Sequence, residues 1–289
     1  MIAVDLGSNT IRFIEFDGEL WGKSFEKIIR TAEGLHETNL IGEKALDRII
    51  DAINEAKGSL DFSQPIRAYT TAAMRLAANA NEALSKIAQL TGIEFEIIDG
   101  EKEAILTLDA VRNRLNVMGI EPSSFVLADI GGGSTELTRY SNDAIETVSL
   151  NYGIVTLSEE GENGLEEKIR IFENAVKNSI DNQSATLVLT AGTPTTIAAY
   201  LCGMDYATYD PQKINGYRLG LMDCHRVYDE LLAMDEVTRR RYVGVGRENL
   251  IIAGILMVTA IYEAFGCEEA IIIDDGLREG IALEYYKLH

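Results

Sequence analysis

The stretches Asp5-Leu-Gly-Ser-Asn-Thr10 and Asp129-Ile-Gly-Gly-Gly-Ser134 are near copies of one another. Each puts a carboxylate at the end of an apolar run, then a glycine turn with hydroxyl or amide side chains. A second run, alternating apolar and polar residues, follows each. Period-two alternation is a strand signal, and glycine clusters punctuate strands. The chain therefore reads as strand, tight loop, strand, twice over. The interval from Asp5 to Asp129 is too long for a solenoid repeat. It points instead to two similar α/β halves, with the crevice between them as the default ligand site.

The remaining periodicities fill in both halves. Strands are expected at Leu20–Glu26, Ile66–Thr70 and Phe95–Ile98, and helices at Glu43–Lys57, Asn81–Leu90 and Glu101–Val117. Leu46, Ile49, Ile50 and Ile53 have helical spacing, as do Ile105, Leu108, Val111 and Leu115. The pattern restarts with strands at Phe125–Ile130, Thr135–Tyr140 and Ile145–Leu150. A helix follows at Leu165–Ile180 and a strand at Thr186–Thr190. Pro194 suits the first turn of a helix running through Leu201. Helices over Asp223–Ala233 and Leu250–Phe265, a strand at Ala270–Ile273 and a last helix from Leu277 complete the reading. The domains are set at residues 1–118 and 119–289, with the helix over 278–289 free to pack back on the first.

Composition narrows the class. The 289 residues are 46% hydrophobic, with four prolines, which suits a folded chain without long disordered linkers. The longest apolar stretch, near Leu250–Ala264, is interrupted by Gly254 and Thr259 and is too short to span a bilayer. The start, Ile2-Ala-Val-Asp5, lacks the basic flank of a signal peptide. Cys202, Cys224 and Cys267 form no CxxC and read as reduced, packed thiols of a cytoplasmic protein. His36, His225 and His289 are too scattered to suggest a zinc site. The net charge of −20 disfavours a nucleic-acid partner. It also opposes long-range steering of a polyanion. A divalent cation would offset that charge locally.

Chemistry concentrates in four places. Gly131, Gly132 and Gly133 let the backbone turn sharply, and consecutive amides in such a turn can converge on one anion. Ser134 and Thr135 add hydroxyls, and Ser8, Asn9 and Thr10 are the equivalents in the first loop. Asp5 taken alone serves equally as a turn cap; its echo at Asp129 favours a functional acid. Ala191-Gly-Thr-Pro-Thr-Thr196 opens a helix whose N-terminus favours anions, or is an ordinary capped turn. No P-loop lysine accompanies it, which disfavours a Walker ATPase. Arg75 follows a strand and could fork onto phosphate oxygens or lie on the surface. Glu101 and Glu103 occupy a first helical turn, where acids are favoured in any case.

Taken together, Asp5–Arg12, Thr71–Arg75, Glu103-Ala104, Asp129–Glu136 and Gly276-Leu-Arg-Glu-Gly280 resemble the motifs of the exopolyphosphatase / guanosine pentaphosphate phosphohydrolase (Ppx/GppA) family, in the family's order. The resemblance implies two ribonuclease-H-like domains of the acetate and sugar kinase / heat-shock chaperone / actin superfamily around an interdomain cleft. It implies that Glu103 is the catalytic base that activates water. It assigns Asp129 and Glu136 to the divalent metal or to the orientation of that water, with Asp5 a further metal-facing acid and Mg2+ the expected ion. Arg75, Ser8–Thr10, Gly131–Thr135 and Gly192–Thr193 are implied as phosphate contacts. The expected reaction is hydrolysis of the terminal phosphoanhydride of inorganic polyphosphate. Guanosine pentaphosphate (pppGpp) is the alternative substrate, and an ATP-binding kinase or a non-catalytic phosphate sensor the rival class. The resemblance allows a homodimer, and neither a membrane nor a nucleic-acid partner is expected. Three places depart from the family pattern: Ile105 stands where arginine is usual, Lys102 where another acid is common, and Thr193-Pro194 where Gly-Thr followed by an apolar residue is more usual.

Overall fold

β1 (Ile2–Leu6) is buried along its whole length because it is a central strand. In the computed structural model it pairs antiparallel with β2 (Thr10–Phe16) and parallel with β4 (Ile66–Thr70). β3 (Trp21–Ile28) lies antiparallel beyond β2, and β5 (Glu96–Ile97) parallel to β4. The sheet order is β3-β2-β1-β4-β5. The structure describes residues 1–120, 122–158, 164–180 and 186–288. Residue 289, the end of the helix expected over 278–289, lies outside them.

The chain divides into two compact units, Met1–Ala110 with Leu277–His289, and Val111–Gly276. The division falls inside a helix, whereas the restart of the sequence pattern places it at residue 118. The first unit adds α1 (Leu35–Thr38), α2 (Glu43–Ala56), α3 (Ala72–Leu76), α4 (Ala80–Thr91) and the first part of α5 (Gly100–Val117). Successive strand side chains face opposite ways. Met1 and Ala3 share a core with Leu106 of α5 and with Leu277, Ile281 and Ala282 of the last helix (Leu277–Leu288). Asp5 continues that face by alternation. Ile2, Val4 and Leu6 face the other way, and the α2 stripe of Leu46, Ile49 and Ile53 is buried.

The second unit repeats the scheme. β6 (Ser124–Ile130) pairs antiparallel with β7 (Thr135–Ser141), which pairs with β8 (Ala144–Leu150). β9 (Thr186–Thr190) is parallel to β6, and β11 (Glu269–Ile272) to β9. β10 (Tyr217–Gly220) is added antiparallel at the β11 edge. Without β10, the order β8-β7-β6-β9-β11 is that of the first sheet, with the same strand senses. This is the duplicated ribonuclease-H-like architecture. Its helices are α6 (Ile154–Ser158), α7 (Leu165–Lys177), α8 (Gly192–Leu201), α9 (Pro211–Ile214), α10 (Leu221–Ala233), α11 (Glu236–Val243) and α12 (Leu250–Phe265). The long apolar stretch is α12, wrapped by the core on most of its surface. No described helix is long and apolar enough to cross a membrane. The Leu277–Leu288 helix is α13.

Some elements carried too weak a local signal to be read. α3 is five residues, β10 four, and α11 is eight residues of which four are charged. The cysteines also differ from one another. Cys224 is buried, and burial, then Asp223, pushes its thiol up to about 12; Cys202 is exposed rather than packed.

Gly280 shows how closely α13 approaches α5. A Cβ there would lie 2.1 Å from the Leu106 carbonyl oxygen and 2.5 Å from its carbon, both main-chain atoms. Gly280→Ala is therefore expected to push the helices apart and cost about 1–3 kcal/mol, the usual range for overpacking. Alanine's better helix propensity offsets at most about 1 kcal/mol of this. A thermal melt showing a lower Tm checks it; an unchanged Tm would mean the helices do not meet there.

Candidate active site

The two glycine loops are built alike. In the first, the Gly7 amide donates to the Thr10 carbonyl at 3.0 Å; in the second, the Gly131 amide donates to the Ser134 carbonyl at 2.9 Å. Each loop is held from behind by the segment that follows its third strand. Ile29 and Arg30 amides donate to the Asn9 carbonyl at 2.8 and 2.9 Å, Ala32 to Ser8 at 2.9 Å, and Thr31 Oγ1 to Gly7 at 2.9 Å. In the second unit Ile154 donates to Gly131 at 3.0 Å and Val155 to Gly132 at 2.8 Å. In a planar trans peptide the carbonyl and the next N–H point in opposite directions. Turning these carbonyls onto the bracing segments therefore aims the Ser8, Asn9, Gly132 and Gly133 amides away from them. That arrangement suits an anion.

Within the first unit, Asp5, Ser8 and Thr10 are all buried. Asn9 Oδ1 is buried with no protein partner among the described residues. Buried polar atoms are normally satisfied, so this acceptor fits a cation or its water, and the reversed amide would offer a donor to phosphate. α5 starts where the Asp99 side chain accepts from the Lys102 amide at 2.8 Å and its carbonyl from the Glu103 amide at 3.1 Å. This turn separates the two candidate acids: Glu101 is exposed, whereas Glu103 is 8% exposed. Arg75, at the end of α3, donates through Nη1 to Glu103 Oε2 at 2.7 Å and to the Ile98 carbonyl at 2.8 Å. The arginine expected to contact phosphate is thus also the group that orients the expected base. Lys102 turns the other way, onto Tyr69, and Ile105 is exposed.

Within the second unit, Asp129 and Glu136 are direct cross-strand partners of β6 and β7, and Asp129 faces Thr190 of β9 on its other side. Glu136 is buried, and its Oε1 accepts from Ser149 Oγ at 2.8 Å. No group of three or more His, Cys, Asp or Glu side chains suited to a metal gathers among the described residues. Two neighbouring carboxylates nevertheless fit magnesium, which keeps waters and takes substrate phosphate oxygens to complete its shell. Ser134 and Thr135 are buried, and the Thr135 hydroxyl donates to the Tyr152 carbonyl at 2.7 Å, bracing the loop.

The turn into α8 holds a strained residue: Ala191 has φ 77° and ψ −179°, a region left almost entirely to glycine. The Thr195 and Thr196 hydroxyls bond back onto the Ala191 and Gly192 carbonyls. The Thr193 side chain packs on Gly254 of α12, where a Cβ would meet its Oγ1 at 2.4 Å. Thr193 therefore offers this turn its main chain rather than its hydroxyl. Arg247, which the sequence reading passed over, lies with its guanidinium about one contact from Gly192, 3.5 Å from a Cβ built there. Its loop is fixed by Glu248, which accepts from Arg240 at 2.7 Å and from the Gly246 amide. The missed signal was Gly244-Val-Gly246 before an arginine at a helix start, with both glycines at positive φ.

The chain is similar to known proteins along most of its length. The sequence profile described as the Ppx/GppA phosphatase family matches residues 24–289. Exopolyphosphatase 2 of Mycobacterium tuberculosis is 25% identical over 313 aligned residues, covering 97% of each chain. The bifunctional 3-dehydroquinate synthase/phosphatase of Fusobacterium nucleatum is 24% identical; it is matched by 98% of this chain, which spans only 46% of it. The crystal structure of the Aquifex aeolicus Ppx/GppA family member superposes with a TM-score of 0.79 at 27% identity, over 99% of this chain and 97% of that one. The twin braced loops thus sit in a chain whose profile, relatives and fold agree along its length, and it belongs to the Ppx/GppA phosphatase family.

Proposed function

We propose that the protein is an exopolyphosphatase that hydrolyses the terminal phosphoanhydride of inorganic polyphosphate and releases phosphate. The observation that carries the reading is the buried Glu103 carboxylate held by Arg75 at 2.7 Å in the first turn of α5. A base must be aimed before it can act, and this one is fixed by a charged partner. Glu103 accepts a proton from water as the water oxygen bonds to the terminal phosphorus. The bridging P–O bond breaks, and its electron pair leaves on the shortened chain. Phosphoryl transfer depends mostly on positioning and on neutralising the phosphoryl oxygens. Each unit by itself offers groups for that purpose: the Ser8 and Asn9 amides and Arg75 in the first, the Gly132 and Gly133 amides and the α8 turn in the second.

Asp129 and Glu136 would hold a magnesium ion or another divalent cation, with Asp5 a further acid of the same kind. When bound, the ion supplies charge neutralisation at the phosphoryl oxygens. Chelation by EDTA is expected to abolish phosphate release, and added Mg2+ to restore it; full activity in EDTA would remove the metal from the reading. Relatives named exopolyphosphatase favour polyphosphate over pppGpp. The deciding test is release of phosphate from each substrate by the purified protein. Turnover of pppGpp alone would replace the substrate, and turnover of neither would end the hydrolase reading.

A further inference from the structure

Tyr69 of β4 is wholly buried, yet its hydroxyl gathers charged groups from separate elements of the first unit. It donates to Glu284 Oε2 of α13 at 2.8 Å. It accepts from Arg67 Nε at 2.9 Å and from Lys102 Nζ of α5 at 2.8 Å. Lys102 Nζ also lies 4.3 Å from the ring centroid and 3.5 Å from Glu96 Oε1. The lysine is thus fixed by a hydrogen bond, by charge and by the ring face. Lys102 immediately precedes Glu103. Its backbone amide is the one the Asp99 side chain caps. The first turn of α5 is therefore tied at three successive points: the Asp99 cap, the Lys102–Tyr69 anchor and the Glu103–Arg75 pair. Glu284 is one helical turn beyond Gly280, so both lie on the face of α13 that meets α5 and β4.

We propose that Lys102, through Tyr69 and Glu284, is a positioning residue that sets where the Glu103 carboxylate stands during catalysis. The inference rests on the exopolyphosphatase reading for Glu103 and adds a role that this reading does not need. An ordinary surface lysine could be replaced without kinetic effect. An anchor cannot, because misplacing a reacting group by about 1 Å costs up to about 100-fold in rate.

The test compares Lys102→Met, Lys102→Arg and Tyr69→Phe in the full chain, using phosphate release from polyphosphate, thermal melts and amide hydrogen exchange of residues 102–106. In Lys102→Met, kcat is expected to fall about tenfold, with KM within about twofold. Lys102→Arg, which keeps a donor and a cation over the ring, restores most of it. Tyr69→Phe matches the Met variant, and the double variant is no slower than either single one, as expected for two members of one route. Exchange at residues 102–106 rises in Lys102→Met. Unchanged kcat, a loss carried by KM, additive losses or unchanged exchange would overturn the inference. If the wild-type protein releases no phosphate, the hydrolase reading fails separately, and exchange alone still decides whether Lys102 anchors the turn.

Discussion

Glu103→Gln is expected to lower kcat for phosphate release by about 10²- to 10⁴-fold, the usual contribution of a general base. The variant keeps the size of the side chain, and the glutamine oxygen can still accept from Arg75 Nη1, which lies 2.7 Å from Oε2 in the parent protein. Fold and substrate affinity should therefore persist, with KM and the melting curve close to wild type. What is lost is the carboxylate that takes the proton. A kcat lowered alone would locate the defect in the transition state. Wild-type turnover would remove Glu103 from the chemistry.

The second large effect is expected from Gly153→Ala. A Cβ at Gly153 would stand 2.4 Å from the carbonyl carbon and oxygen of Gly132 and 2.5 Å from the Gly133 nitrogen. These are main-chain atoms, so no rotamer change can relieve the clash, and the 131–134 loop must move. Overpacking of this kind costs about 1–3 kcal/mol of stability. A displacement near 1 Å at the phosphate loop would cost up to about 100-fold in kcat/KM. Gly164→Ala, where no atom of the described residues lies within 4 Å, is the control and should leave kcat/KM unchanged. Phosphate-release kinetics on the two variants check the pair. Equal activity would mean that the loop tolerates displacement and that its main chain does not set the rate.

How much of this could be read from the sequence differs by residue. The echo of Asp5-x-Gly7 at Asp129-x-Gly131 foretold both hairpins, because turn chemistry and strand alternation are written in neighbouring residues. The same holds for α2 and α7, whose apolar spacing is long enough to show a period, whereas α12 is legible from the length of its apolar run. Glu103 was visible as an acid in a first helical turn, but so was Glu101. Only the packing of α5 buries the one and exposes the other. Thr193 is implied as a phosphate contact by the family resemblance, and it is a glycine 61 positions further along the chain, Gly254, that draws its side chain onto α12. Arg247 was passed over because an arginine after Gly-Val-Gly has no period of its own.

From its sequence alone, then, the chain determined two α/β halves, the loops that open them and the residue types available for anion chemistry. Those features depend on contacts between near neighbours. Tertiary structure alone decided which groups meet: Arg75 with Glu103, Lys102 with Tyr69 and with a glutamate 215 residues from Tyr69, and Arg247 with Gly192. Such pairings arise when separately formed elements pack, and the orientation a side chain takes there follows from burial and charge partners that no local pattern encodes.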